Sequence, residues 1–173
     1  MTEKQQRILE AALRLFAQEG YAATSTSKVA KAAGVSEGLI FRHFQSKEGL
    51  LQAILTQAHE MTRQAFAGVV LASDPKETIR KILELPYTIS EAHYEMWRLV
   101  YALKWQTKQY DTSSYDPIRL VLQHAFAELG YADPAAEAEL VFMYLDGAAT
   151  AMLLHPPAQP AAVLEALKKK YNL

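Results

Sequence analysis

Apolar residues along the chain recur at intervals of three and four and hardly ever at two, and alternating runs of β-branched residues are missing. That period lines side chains along one face of a helix, so the pattern predicts an all-α protein. Thr2-Glu3-Lys4-Gln5 fits a capping box, Ile8, Ala12, Leu15 and Phe16 share a stripe, and Gly20 offers a left-handed stop. These set a first helix over about 3–19. Ser25 or Thr26 can cap a short Ala-rich helix that Gly34 ends, Ser36 a third helix of about two turns with Ile40 and Phe44 inward, and Ser46 a fourth.

The fourth stripe runs from Leu50 through Ile54, Ala58, Met61 and Phe66 to about Leu71, near 37 Å at ~1.5 Å per residue, long enough to bridge two domains. Asp at the cap followed by Pro at the first helical position announces three later helices, at Asp74-Pro75, Asp116-Pro117 and Asp133-Pro134. Pro86 ends or kinks the first of these, and Ser90 starts another helix that reaches about Gln109. The segment 110–115 reads as a loop. Gly130 closes the seventh helix, Pro156-Pro157 the eighth, and a ninth runs from Pro160 to Lys170.

Composition narrows the class. Among 173 residues, 50% apolar and 21% charged is a globular balance, and the absence of cysteine removes disulfide scaffolds, thiol nucleophiles, zinc fingers and iron–sulfur clusters. No stretch approaches a membrane span and Met1–Glu10 is too polar for a signal peptide, so the expected setting is cytoplasmic, with no membrane partner. Net charge is −1, but residues 1–50 carry seven Lys or Arg against five Glu. That bias suits a DNA-facing end only where other features gather it on one surface.

Such features occur between Ser25 and Leu50. Two short helices joined by Ala33-Gly34-Val35-Ser36 have helix-turn-helix spacing, in which the second, Glu37 to Phe44, enters the major groove. With Ile40 and Phe44 inward, Leu39, Arg42 and His43 point outward. Lys47 opposes the dipole at the start of helix four, and a phosphate oxygen would give that ammonium a purpose. Thr24 and Ser25 offer hydroxyls to a second phosphate, or serve only as caps.

The runs Gly20-Tyr21-Ala22-Ala23-Thr24-Ser25, Val29 to Gly38 and Phe41-Arg42-His43-Phe44-Gln45-Ser46-Lys47-Glu48-Gly49-Leu50-Leu51 resemble the DNA-binding domain of the tetracycline-repressor (TetR) family over about the first 55 residues. The resemblance implies an N-terminal domain over 1–46 that binds an operator, a ligand-binding and dimerisation domain over 47–173, and a homodimer formed through the last two helices. By position, backbone contacts fall on Ser25, Phe41, His43 and Lys47, and base-facing positions on Glu37, Gly38, Leu39 and Arg42. Phe41 stands where the family commonly has a tyrosine, so it has no phenol to give to a phosphate.

Two enzyme readings compete. Gly34-Val35-Ser36-Glu37-Gly38 fits a nucleophile elbow, but an elbow follows a strand and this one follows a helix. A metal-bearing bundle needs clustered ligands, whereas the five histidines lie at least 16 residues apart with no His-x-x-x-His or Glu-x-x-His. The expectation is no catalysis, no metal and no cofactor. A helical bundle that binds a small molecule or acts as a scaffold without touching DNA is the remaining alternative.

In the C-terminal two thirds, Trp97, Tyr101 and Trp105 recur every four residues. They read as an aromatic core stripe or as the wall of a pocket for a lipophilic effector, with Tyr94 beside them and His93 and Arg98 as polar contacts. Helix eight is apolar on more sides than one face requires. Val141, Tyr144, Leu145, Ala148 and Met152, with Val163 and Leu167 of helix nine, are the expected dimer surface, against the alternative that they fill one protomer's core.

Overall fold

The computed structural model describes residues 1–70, 72, 74–106 and 115–173, of which 70 and 104–106 are described by backbone alone. Nine α-helices and no strand occur among them: α1 Glu3–Glu19, α2 Thr26–Ala33, α3 Glu37–Phe44, α4 Lys47–Val70, α5 Pro75–Glu84, α6 Tyr94–Gln106, α7 Asp116–Glu128, α8 Pro134–Leu154 and α9 Pro160–Lys170. Two 3₁₀ turns, Leu85–Thr88 and Glu91–His93, stand between α5 and α6. The all-α class follows directly from the apolar period.

The caps explain most of the boundaries. Thr2 and Gln5 close a reciprocal capping box on α1, Ser25 Oγ accepts from the Lys28 N–H, and Gly34 ends α2 in the left-handed conformation at φ 66°. Asp74 and Asp133 accept from the N–H groups of Glu77 and Ala136. Asp116 does not play that part. It is the first residue of α7, behind Tyr115, and its carboxylate faces Arg119 at 3.9 Å. Ser36 begins α3 by backbone geometry only, without the expected side-chain cap bond. The helix expected from Ser90 starts instead at Tyr94, after a 3₁₀ turn. Its expected end at Gln109, and the loop expected over 110–115 except for Tyr115, lie outside the described residues.

Packing divides the chain into two compact units, Met1–Met61 with Glu91–Lys108 and Thr62–Ser90 with Gln109–Leu173. In the first, Ile8, Ala12, Leu15 and Phe16 of α1 meet Val29, Ala30, Ile40, Leu50 and Ile54, and α6 adds Leu99 and Leu103. Its other buried group is Ala58, Met96 and Val100. The core of the second is Val69, Ile79, Ile82, Leu83, Ile118, Leu122, Phe126, Ala138 and Val141. One uninterrupted helix, α4, supplies residues to both units.

Candidate nucleic-acid interface

The α1–α3 segment builds a helix-turn-helix from a small number of contacts. Gly34 turns the chain with φ 66°, a conformation costly to any residue with a Cβ, and Val35 N–H returns to the Ala30 carbonyl at 3.0 Å. Thr26 Oγ1 donates to Glu37 Oε1 at 2.6 Å, which ties the first turn of α3 to the first turn of α2. Ile40 is fully buried, and Leu39 and Phe44 pack partly on the same core. Leu39 therefore lies less outward than its spacing predicts. Gly38, Phe41 and Arg42 are exposed, Phe41 at 48%, and Arg42 has no ion pair among the described residues.

After α3 the chain turns within two residues. Gln45 has φ 67° and ψ −38°, and Ser46 N–H reaches back to the Phe44 carbonyl at 2.8 Å, the three-residue turn that is rare because it is strained. Ser46 Oγ accepts from the Gly49 N–H at 3.1 Å and so caps α4 as predicted. Gly49 passes so near the Phe44 carbonyl that a Cβ would lie 1.9 Å from its oxygen. Only glycine permits this approach, which sets α4 directly against the end of α3.

Lys47 finds partners that its spacing does not reveal. Its Nζ donates to the carbonyls of Tyr21 at 2.8 Å, Thr24 at 2.9 Å and Ala22 at 3.3 Å, and lies 4.4 Å from the centre of the Tyr21 ring. An ammonium has three protons, and all three are committed here. Lys47 thus has a structural role beside the expected phosphate contact: it closes the loop between α1 and α2. Tyr21 O–H donates to Glu48 Oε1 at 3.3 Å in the same clamp. Burial and Glu48 push the phenol up, while the backbone N–H of Glu48 and the Ser46 hydroxyl hold the Glu48 carboxyl below its ordinary value.

Thr24 is also corrected. It is 1% exposed and its hydroxyl donates to the Gly20 carbonyl at 2.9 Å, so no phosphate can reach it. Ser25 stays exposed, its oxygen engaged as the α2 cap. His43 is half-buried, with Nδ1 3.3 Å from Gln5 Nε2 and its ring edge-on to Phe44. The open surface of the motif thus comprises Ser25, Gly38, Phe41 and Arg42, with His43 half-buried beside them. Gln5, Tyr21, Glu48 and Gly49 are the supporting residues that sequence reasoning missed. The signal for Gly49 was a glycine inside the first turn of a helix, where propensity alone argues against it.

Farther along, the α6 face that meets the core is Met96, Leu99, Val100 and Leu103 rather than the aromatic stripe. Trp97 packs at half-burial beside Ala58, Met96 and Val100, Tyr94 and Tyr101 are half-buried, and His93 and Arg98 are exposed. The side chain of Trp105 lies outside the described residues. A shallow, open depression of about 350 Å³ in the second unit is lined by Gln123, His124, Ala127, Ala132, Asp133, Pro134 and Ala135, none of them an expected ligand contact.

The dimer expectations divide. Val141 is 1% exposed in the core of the second unit and cannot meet a partner, and Tyr144, Leu145 and Leu167 pack partly on that core. Tyr144 also shares a hydrogen bond of 3.0 Å with the Tyr87 hydroxyl, which together with burial drives its phenol far up. Ala148 and Met152 are half-buried and Val163 is exposed. The outward apolar stripe of α8 is instead Leu140, Met143 and Leu154, with Gly147 between them. Apolar periodicity on both sides of a helix cannot tell which side turns inward.

These features define a helical protein with an N-terminal helix-turn-helix domain. Residues 8–54 match the family model of the bacterial regulatory proteins, tetR family, so the N-terminal helix-turn-helix domain is of the TetR type. The HTH-type transcriptional regulator YvkB of Bacillus subtilis is 47% identical over 85 residues, 49% of this chain and 42% of that protein. The chain therefore spans less than half the length of the curated relatives it matches. Among solved structures, a transcriptional regulator from Saccharomonospora viridis in complex with choline superposes with TM-score 0.77 at 19% identity, covering 99% of this chain and 96% of that one. AibR in complex with isovaleryl coenzyme A and operator DNA gives TM-score 0.72 at 18% identity, covering 95% and 96%. At those identities the likeness is one of fold. No described helix is long and apolar enough to cross a membrane.

Proposed function

We propose that this chain is a cytoplasmic, ligand-responsive transcriptional regulator, a repressor that binds a palindromic operator as a homodimer and leaves it when a small lipophilic effector occupies the C-terminal domain. The observation that carries the reading is the outer face of α3, where Arg42 has no ion-pair partner among the described residues and Phe41 is exposed, on a helix braced through Glu37, Ile40 and Gly49. An unpartnered guanidinium there suits guanine O6 and N7, and an exposed ring suits a thymine methyl or a sugar. Ser25 and His43 flank that face as candidates for phosphate contacts, with Glu37, Gly38 and Leu39 beside the bases. A phosphate contact by Lys47 requires exchanging one of its three carbonyl partners.

Selection of bound duplexes from a random library, followed by fluorescence anisotropy on the selected sequence, tests this directly. An inverted repeat with half-sites about 34 to 36 Å apart is expected. Arg42→Ala should relax preference at one base pair by about 1 to 3 kcal/mol. If wild type binds no duplex at low salt, the reading fails and the non-DNA bundle takes its place.

We propose the effector site on α6, with Trp97 and Tyr101 on an apolar wall, Tyr94 beside it and Arg98 or His93 toward an acidic group; the side chain of Trp105, the third expected wall residue, lies outside the described residues. Two proteins of this fold hold choline and isovaleryl coenzyme A, which supports a small-molecule site without fixing its ligand. A ligand that displaces α4, the helix that directly follows the recognition helix, would alter the spacing of two recognition helices. By linkage, operator DNA then weakens effector binding by the same factor, typically about 5- to 150-fold. Trp97→Ala should abolish the response to a bound effector while keeping operator affinity. Intact induction in that variant would move the site elsewhere.

A further inference from the structure

We infer that Gln5 is a positioning residue for the contact that His43 makes to DNA: it fixes which ring nitrogen carries the proton, so that Nε2–H is the donor presented outward. This rests on the DNA-binding reading above for its purpose, though the geometry stands without it.

The chain of bonds starts at the N-cap of α1. Thr2 N–H donates to Gln5 Oε1 at 2.8 Å, and Gln5 N–H donates to Thr2 Oγ1 at 3.3 Å. This capping box determines the orientation of the Gln5 amide, because a flipped amide would set its NH₂ against the Thr2 N–H. The atom left facing His43 is therefore Nε2, 3.3 Å from Nδ1. An amide NH₂ only donates, so Nδ1 must accept, and the ring proton of a neutral imidazole resides on Nε2. Phe44 stands edge-on to the imidazole with ring centres 6.3 Å apart.

The consequence is an N–H donor of defined direction on the recognition helix, set by a residue 38 positions earlier. It suits a hydrogen bond to a phosphate oxygen.

The test has two arms. In the free protein at pH 8.5, where a free imidazole is neutral, long-range ¹H–¹⁵N spectra should show His43 as the Nε2–H tautomer. Gln5→Glu, which keeps the capping box but faces Nδ1 with a carboxylate, should place a proton on Nδ1. Wild-type His43 carrying its proton on Nδ1, or the same tautomer in both proteins, overturns the inference whether or not the protein binds DNA. In the second arm, a duplex selected by wild type is titrated with Gln5→Leu, His43→Ala and the double variant. Gln5→Leu should weaken binding several-fold in the wild-type background and not at all beside His43→Ala. Equal losses in both backgrounds would show that Gln5 acts independently of His43. Failure of wild type to bind any duplex would remove the DNA-binding reading and leave the tautomer result to decide the rest.

Discussion

The Lys47 ammonium meets three carbonyl oxygens, those of Tyr21, Ala22 and Thr24, which form the loop leading into α2. Charged hydrogen bonds of this kind contribute about 1.5 to 3 kcal/mol, and the carbonyls lose their common donor when the ammonium is removed. Lys47→Met should therefore lower the free energy of unfolding by about that amount in a urea titration. Any loss of DNA affinity should follow the folded fraction rather than a changed salt slope. A stable variant with the slope lowered by about one unit would restore the direct phosphate role. The neighbouring carboxylate gives a pH dependence. Glu48 is held below the ordinary 4.5, so the unfolded chain binds its proton more readily. Its stabilisation is fully present above that value and is lost as pH falls through the lower folded one. Glu48→Gln should flatten the acid limb of a stability–pH curve between about pH 3 and 5. An unchanged limb would place the acid sensitivity elsewhere.

At the scale of elements, the turn between α3 and α4 decides how the recognition helix is held. Gly49→Ala puts a methyl within 1.9 Å of the Phe44 carbonyl, and backbone cannot yield as a side-chain tip can. A cost of about 1 to 3 kcal/mol is expected, with loss of DNA affinity beyond the unfolded fraction, because α3 must tilt to make room. Normal affinity and stability in this variant would show that the turn is pliable. The same turn marks how much the sequence discloses. Helix starts and stops were legible because caps act locally: Thr2, Ser25, Gly34, Ser46, Asp74 and Asp133 serve their own segments. Asp116 failed because its neighbour Arg119 offers its carboxylate a competing partner, and Thr24 failed because a hydroxyl that reads as surface can equally donate to a carbonyl under a helix. The exposure of Arg42 on α3 was legible from the burial of Ile40, whereas Leu39 and His43, expected outward with it, are half-buried. The support beneath α3 was not, since Gln5 with His43, Tyr21 with Glu48 and Lys47 with the loop carbonyls join residues 23 to 38 positions apart, and no local period encodes such pairs.

For the whole molecule the decisive question is what covers α8. Its inward side, Ala138, Val141, Ala149 and Leu153, is buried within one protomer. Its outward side leaves Met143 71% and Leu154 65% exposed, with Leu140 on the same face and Val163 of α9 also open to solvent. Apolar side chains in such a row are costly to leave in water, and a second copy of the same helix would cover them symmetrically around Gly147, where the absence of a side chain lets two helices approach closely. The two sides of α8 then respond differently to substitution. Leu140→Asp with Met143→Asp should turn a dimer into a folded 19.3 kDa monomer in sedimentation velocity at micromolar concentration. Val141→Ala should unfold at lower urea, by about 1 to 3 kcal/mol, yet still sediment as a dimer. The monomeric variant should also bind a single half-site far more weakly than wild type binds the inverted repeat, because the second helix-turn-helix is no longer held at high effective concentration. A wild type that sediments as a monomer, or a doubly charged variant that stays dimeric, would reject this face as the interface and return the apolar excess of α8 to another partner.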